Sequence, residues 1–169
     1  MFLELLASFS AGIGVAGLVL LFNLITGGRL PKWAMPVGAG LAMIGYGVWS
    51  EYSWAERTVS ALPDGIEVIE TSEESRFWKP WTYAVPQTTR IMAADVAGIR
   101  KNDSVQGARL VDLYLFERWQ APGKIMQLVN CEDPARALVT DAALADPEEA
   151  ANWLPVTQED PIYGAVCTD

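Results

Sequence analysis

Two long stretches without a charge constrain this chain more than any other feature. Residues 5–28 and 33–50 contain no Asp, Glu, Lys or Arg, and the short link between them holds Arg29 and Lys32. At about 1.5 Å of rise per helical residue, the first run would reach about 36 Å and the second about 27 Å. A bilayer's hydrocarbon core is about 30 Å thick, and a crossing helix satisfies its own backbone polar groups. The pattern predicts an N-terminal two-helix transmembrane hairpin over residues 1–50, holding the protein in the lipid bilayer through two spans. Trp33, Tyr46, Trp49, Tyr52 and Trp54 fall near the ends of the second run, where aromatic rings anchor at the interface.

Orientation follows from the cations. Arg29 and Lys32 lie in Gly27-Gly28-Arg29-Leu30-Pro31-Lys32, whereas only Glu4 precedes the first run and Glu51, Glu56 and Arg57 follow the second. Short loops rich in Lys and Arg stay cytoplasmic. The expected location is a bacterial inner membrane with the short loop cytoplasmic and both termini periplasmic. A cleaved signal peptide would begin with basic residues and have a shorter apolar core, so a retained anchor is expected. Ser10, Gly14 and Gly17 share one face of the first helix, and Ala34, Gly38, Ala42 and Gly45 one face of the second. Such small residues allow close helix packing, either between the two spans or against a larger membrane protein complex of unknown identity.

Beyond residue 50 the charge is lopsided, with ten Lys and Arg against twenty Asp and Glu. Nucleic acid is therefore an unsuitable partner, since its phosphates demand positive charge. The chain has no histidine, which removes Ser-His-Asp and Cys-His catalysis. It also has no Cys-x-x-Cys-His for haem, no phosphate-binding glycine loop and no calcium-loop spacing. No catalytic, cofactor-binding or metal residue is named, and no cofactor is expected. The acidic pairs Glu73-Glu74 and Glu148-Glu149 read as solvated faces or helix starts.

Cys131 and Cys167 are the two cysteines. On an oxidising side of a membrane an even pair reads as a disulfide, the alternative being two buried thiols. Closing a loop of 36 residues would stabilise the fold by about 3–4 kcal/mol in the chain-entropy view.

Residues 51–65 read as a connector ending in the turn Pro63-Asp64-Gly65. A periplasmic domain then occupies 66–169. Strands are expected from Ile66, over Arg90–Val96, over Arg109–Trp119 and over Lys124–Cys131, the last two joined as a hairpin through Gln120-Ala121-Pro122-Gly123. Leu113 and Leu115 share one face and Tyr114 and Phe116 the other, so both faces are expected to be partly covered. Asp95 reads as a turn acceptor before Gly98. Arg118 reads as a cross-strand partner of Glu117 or Asp112. The aromatic run Phe77-Trp78-Lys79-Pro80-Trp81-Thr82-Tyr83, broken by proline, is not expected to be regular. Asp146-Pro147 and Asp160-Pro161 predict short helices over 147–152 and ending near Cys167. The fold class is α+β: an antiparallel β-meander with short C-terminal helices.

The run Asp95-Val96-Ala97-Gly98-Ile99-Arg100-Lys101-Asn102 precedes the alternating strand. Leu128-Val129-Asn130-Cys131 follows it with Arg136, then Trp153-Leu154-Pro155-Val156 and Ala165-Val166-Cys167. Over about 90–169 this resembles the surface-adhesin protein E-like domains of Gram-negative envelopes. The resemblance implies a small antiparallel sheet with a C-terminal helix, a cysteine pair at matching places, and a binding module rather than an enzyme. Such domains are commonly secreted or lipid-anchored, and the insert at 77–83 has no counterpart in them.

Two functional expectations follow. The first is a non-enzymatic accessory or scaffold protein, such as a small subunit of a respiratory or other multi-subunit membrane complex. Its partner would meet Trp78, Trp81 and Tyr83, which read either as a core cap or as an exposed patch. The second is a stand-alone periplasmic ligand-binding or sensing module, which should carry a concave pocket with converging polar groups.

Overall fold

The computed structural model describes residues 2–101, 107–140 and 151–167. The chain divides into two compact units, Met1–Trp54 and Ala55–Asp169.

Helix α1 spans Phe2–Ile25. Gly27 and Gly28, with φ of 71° and 78°, end it. The Gly28 amide donates to the Asn23 carbonyl at 2.8 Å and the Gly27 amide to that of Leu24 at 3.2 Å. This double bond pattern satisfies carbonyls the helix would leave open and needs a left-handed residue, which glycine adopts freely. Asn23 Oδ1 also accepts from the Leu30 amide at 3.0 Å. Helix α2 spans Ala34–Ser60 and runs antiparallel to α1. The Ser50 hydroxyl donates to Glu4 Oε1 at 3.2 Å. Gly12 is buried against the Met43 side chain, and a Cβ on Gly38 would stand 3.2 Å from Val19 and 3.5 Å from Val15.

The two uncharged runs are not equivalent. Among the described residues α1 alone is long and apolar enough to cross a membrane. The two spans drawn from the sequence are therefore corrected to one. A charge-free run need not be apolar: α2 carries Pro36, four glycines, Ser50 and Ser53, then Glu51, Glu56 and Arg57. One crossing also places the two ends of a chain on opposite sides. The arrangement with both termini periplasmic and the short loop cytoplasmic is accordingly withdrawn.

The second unit is built on an antiparallel sheet. Its strands are β1 (Ile66–Glu74), β2 (Gln87–Asp95), β3 (Arg100–Lys101), β4 (Ala108–Glu117), β5 (Gly123–Asn130), β6 (Ala135–Leu138) and β7 (Leu154–Pro155). The order is β1-β2-β4-β5-β6-β7, with β3 also on β4. Strand β2 faces β4 from Leu113 to Glu117, and β3 continues the same edge at Leu110 and Arg109. Between them the chain detours through a turn in which Asp95 Oδ1 accepts from the Gly98 amide at 2.7 Å. Edge strand β1 carries Glu67, Glu70, Glu73 and Glu74 and two register shifts, devices that discourage pairing with another chain.

A short helix α3 (Pro161–Cys167) covers part of one sheet face. Asp160 Oδ1 caps it through the Ile162 and Tyr163 amides at 2.9 and 3.3 Å, with Pro161 at the first position. Ile162 and Val166 pack on Ala94, Val111, Leu113 and Val129. Arg109 donates to the Val166 carbonyl at 2.7 Å, and Tyr163 Oη donates to that of Cys131 at 3.0 Å. The Cys131–Cys167 disulfide closes this corner, its Cα atoms 5.5 Å apart. On the opposite face Asp112 pairs with Lys124 at 3.1 Å and with Arg100 at 3.8 Å, while Glu117, on the α3 face in phase with Leu113, pairs with Arg90. The helix expected over 147–152 lies largely outside the described residues, as do Asn102, Asp103 and Glu148-Glu149.

Candidate functional site

Antiparallel order brings two connections to the same end of the sheet. Strand β1 ends at Glu74 opposite the start of β2 at Gln87, and β4 ends at Glu117 opposite Arg90. The β1–β2 connection, 75–86, therefore neighbours the β4–β5 turn, 118–122. The Arg118 amide donates to the Thr89 carbonyl at 3.1 Å.

The aromatic connection has a fixed backbone. Arg76 and Lys79 form a one-pair bridge, and Pro80–Tyr83 makes a 3-10 turn. Thr82, fully buried, is its hub. Its hydroxyl accepts from the Arg76 amide at 2.9 Å and donates to the Lys79 carbonyl at 2.7 Å. Ser75 Oγ donates to the Thr82 carbonyl at 2.9 Å, and Lys79 Nζ reaches buried Gln87 at 3.2 Å. Phe77 packs edge-on against Trp78 at 4.9 Å. The Arg76 guanidinium lies 5.4 Å from the Trp78 ring centre and bonds Glu74 at 2.8 Å. That guanidinium holds the Glu74 carboxyl below its ordinary value of 4.5.

With its backbone anchored inward, the segment turns its large apolar side chains out. Phe77 is 78 % exposed and Tyr83 67 %, and Trp78, Trp81 and Val85 are exposed as well. The neighbouring turn adds Trp119, 52 % exposed, with a φ of 80°. For a bulky residue this left-handed conformation is uncommon and costs about 1–3 kcal/mol. The Arg118 guanidinium lies 4.3 Å from the Trp119 ring centre. Thus Trp78, Trp81 and Tyr83 are all exposed on one connection. Val85 lies on the same connection, and the sheet order places the turn bearing Trp119 beside it; neither was singled out from the sequence. An aromatic residue placed directly before Gln120-Ala121-Pro122-Gly123 was the available signal for Trp119.

The glycines named for helix packing divide. Gly38 faces Val15 and Val19, whereas Gly14, Gly17 and Gly45 have nothing near the place a Cβ would take. Gly12, absent from the expected stripe, is buried. Comparison with known proteins finds no matching family model, no matching curated protein and no matching solved structure.

Proposed function

We propose that this protein is a membrane-anchored, non-enzymatic binding module whose β domain docks a protein through the aromatic end of its sheet. The observation that carries the reading is the cluster of six large apolar side chains exposed by two adjacent turns, on a backbone held by Thr82. Exposed apolar groupings of this kind mark contact sites, and Trp, Tyr and Arg dominate their energetics. The strained backbone at Trp119 supports it too, since strain persists where function requires a side chain's position.

Helix α1 serves as the anchor. Its Leu, Ile and Phe side chains are exposed around most of its circumference, which suits lipid and not water. The Cys131–Cys167 bridge favours an oxidising compartment for the β domain. The partner presents a basic surface, complementary to the excess of ten acidic charges over residues 51–169. The likeness of 90–169 to surface-adhesin protein E-like domains fits a binding role, and membership of a multi-subunit membrane assembly is the setting we favour.

Photo-crosslinking in native membranes tests this. A benzoylphenylalanine replacing Trp78 or Trp119 should capture the same basic protein, while one replacing Glu67, at the other end of β1, should not. Absence of adducts, or equal capture from position 67, would overturn the reading.

A further inference from the structure

Beside the aromatic end, the part of its own sheet face that α3 leaves uncovered forms a cleft of about 450 Å³. Three strands supply it in register: Glu70 and Ser72 from β1, Arg90 and Met92 from β2, and Leu115 and Glu117 from β4. Met92 and Leu115 lie opposite each other and make an apolar floor. The rim is polar and unevenly satisfied. Arg90 Nε bonds Glu117 Oε1 at 3.1 Å, so one cation and one carboxylate neutralise each other. The Glu70 carboxylate has neither hydrogen bond nor ion pair among the described residues. A cleft with an apolar floor and one unmatched carboxylate at its lip suits an aliphatic stem ending in a cation.

We propose that this cleft receives a lysine or arginine side chain of the docked protein, its methylenes over Met92 and Leu115 and its charge on Glu70. The assignment rests on the docking reading above and names the chemistry of that partner. Long basic side chains cover apolar surface while keeping their heads on polar groups. The cleft is also close along the chain to the cluster: Glu117 is two residues from Trp119, and Ser72 is three from the start of the aromatic connection. A partner seated on the tryptophans would pass over it. The acidic residues of β1 and the negative charge of the domain bias the approach toward a basic segment.

The five methionines supply the probe. Full-length protein carrying 13C-methyl methionine, in zwitterionic micelles, is titrated with acetyl-Leu-Lys-Leu-amide and with its Nε-acetyllysine twin. The lysine peptide should shift the Met92 methyl saturably and leave Met126, on the opposite face, in place. The acetylated twin should shift neither. Glu70→Gln, an exposed change that leaves the fold alone, should weaken binding about three- to fivefold. No shift at Met92, equal shifts from both peptides, or unchanged affinity in Glu70→Gln would overturn the assignment. The two proposals fail separately: a silent Met92 beside intact crosslinks from positions 78 and 119 removes the cleft and keeps the docking surface. Lost crosslinks with a responsive Met92 remove the docking surface alone.

Discussion

The two ends of the β sheet solve opposite problems. At the end where the chain enters, the described turns are tied down. Gly65 takes a φ of 92° and its carbonyl accepts from the Val96 and Ala97 amides at 2.9 and 3.2 Å. Asp95 closes the detour into β3, and Asn130 Oδ1 caps the turn after β5 through the Glu132 amide at 3.0 Å. The disulfide, Tyr163 and Arg109 then fix α3 across the corner. At the far end, backbone bonding is equally complete around Thr82, yet the apolar side chains face out. Ordered backbone beneath exposed tryptophan distinguishes a prepared surface from a loose loop, because the entropy of ordering those residues has already been met within the domain.

Cutting the disulfide should change the anchored end most and leave the aromatic end in place. Cys131→Ala with Cys167→Ala should lower unfolding stability by about 3–4 kcal/mol, measured as a shifted denaturant midpoint of the full chain. Crosslinking from position 78 should survive under native conditions, since the two ends are held by separate contacts. Loss of that capture in a protein that is still folded would show the ends to be coupled.

Next in size is Thr82. Thr82→Val keeps the volume and removes the hydroxyl, leaving the Arg76 amide without its acceptor while the Lys79 carbonyl keeps the Thr82 amide. A buried group left unsatisfied costs about 1–3 kcal/mol. Amide exchange should accelerate at Arg76 and Thr82 and stay unchanged at Cys131, and capture from position 78 should fall while capture from 119 persists.

How far these features can be read from the residues differs between the regions. Alternation located the strands at 66, 90–96, 109–119 and 124–131, because a half-buried strand must alternate. Asp160-Pro161 located α3, because capping chemistry is local. The even cysteine pair pointed to the bridge. Helix α2 misled, because a lack of charge reports nothing about the glycines, proline and serines that lower a run's apolar character. Strand β3 and the placing of Trp119's turn beside the aromatic connection were not legible, because both depend on sheet order and register. Whether Trp78, Trp81 and Tyr83 are core or surface was equally open in sequence. The answer lies in the folded segment, where the buried Thr82 hydroxyl bonds the backbone and the three rings are exposed.

The smallest expected effect concerns the ion pair that borders the aromatic connection. Glu74 and Arg76 are each less than half exposed, at 43 % and 44 % of their side chains, so solvent screens the pair and its energy is small. The bond from Arg76 lowers the Glu74 carboxyl below its ordinary 4.5. A lowered folded value means the contribution is present above 4.5 and is lost as pH falls through that lower value. Lys124 behaves in the opposite sense: the bond to Asp112 raises it above 10.5, so its contribution is present below 10.5 and is lost only in stronger alkali. Between these limits neither pair should make stability depend on pH. An NMR titration should therefore give a Glu74 side-chain midpoint below 4.5, moving up toward that value in Arg76→Leu. A Glu74 midpoint already at its ordinary value in the unaltered chain would mean that the Arg76 side chain is unpaired in solution. Arg76 would then be free to engage the partner directly.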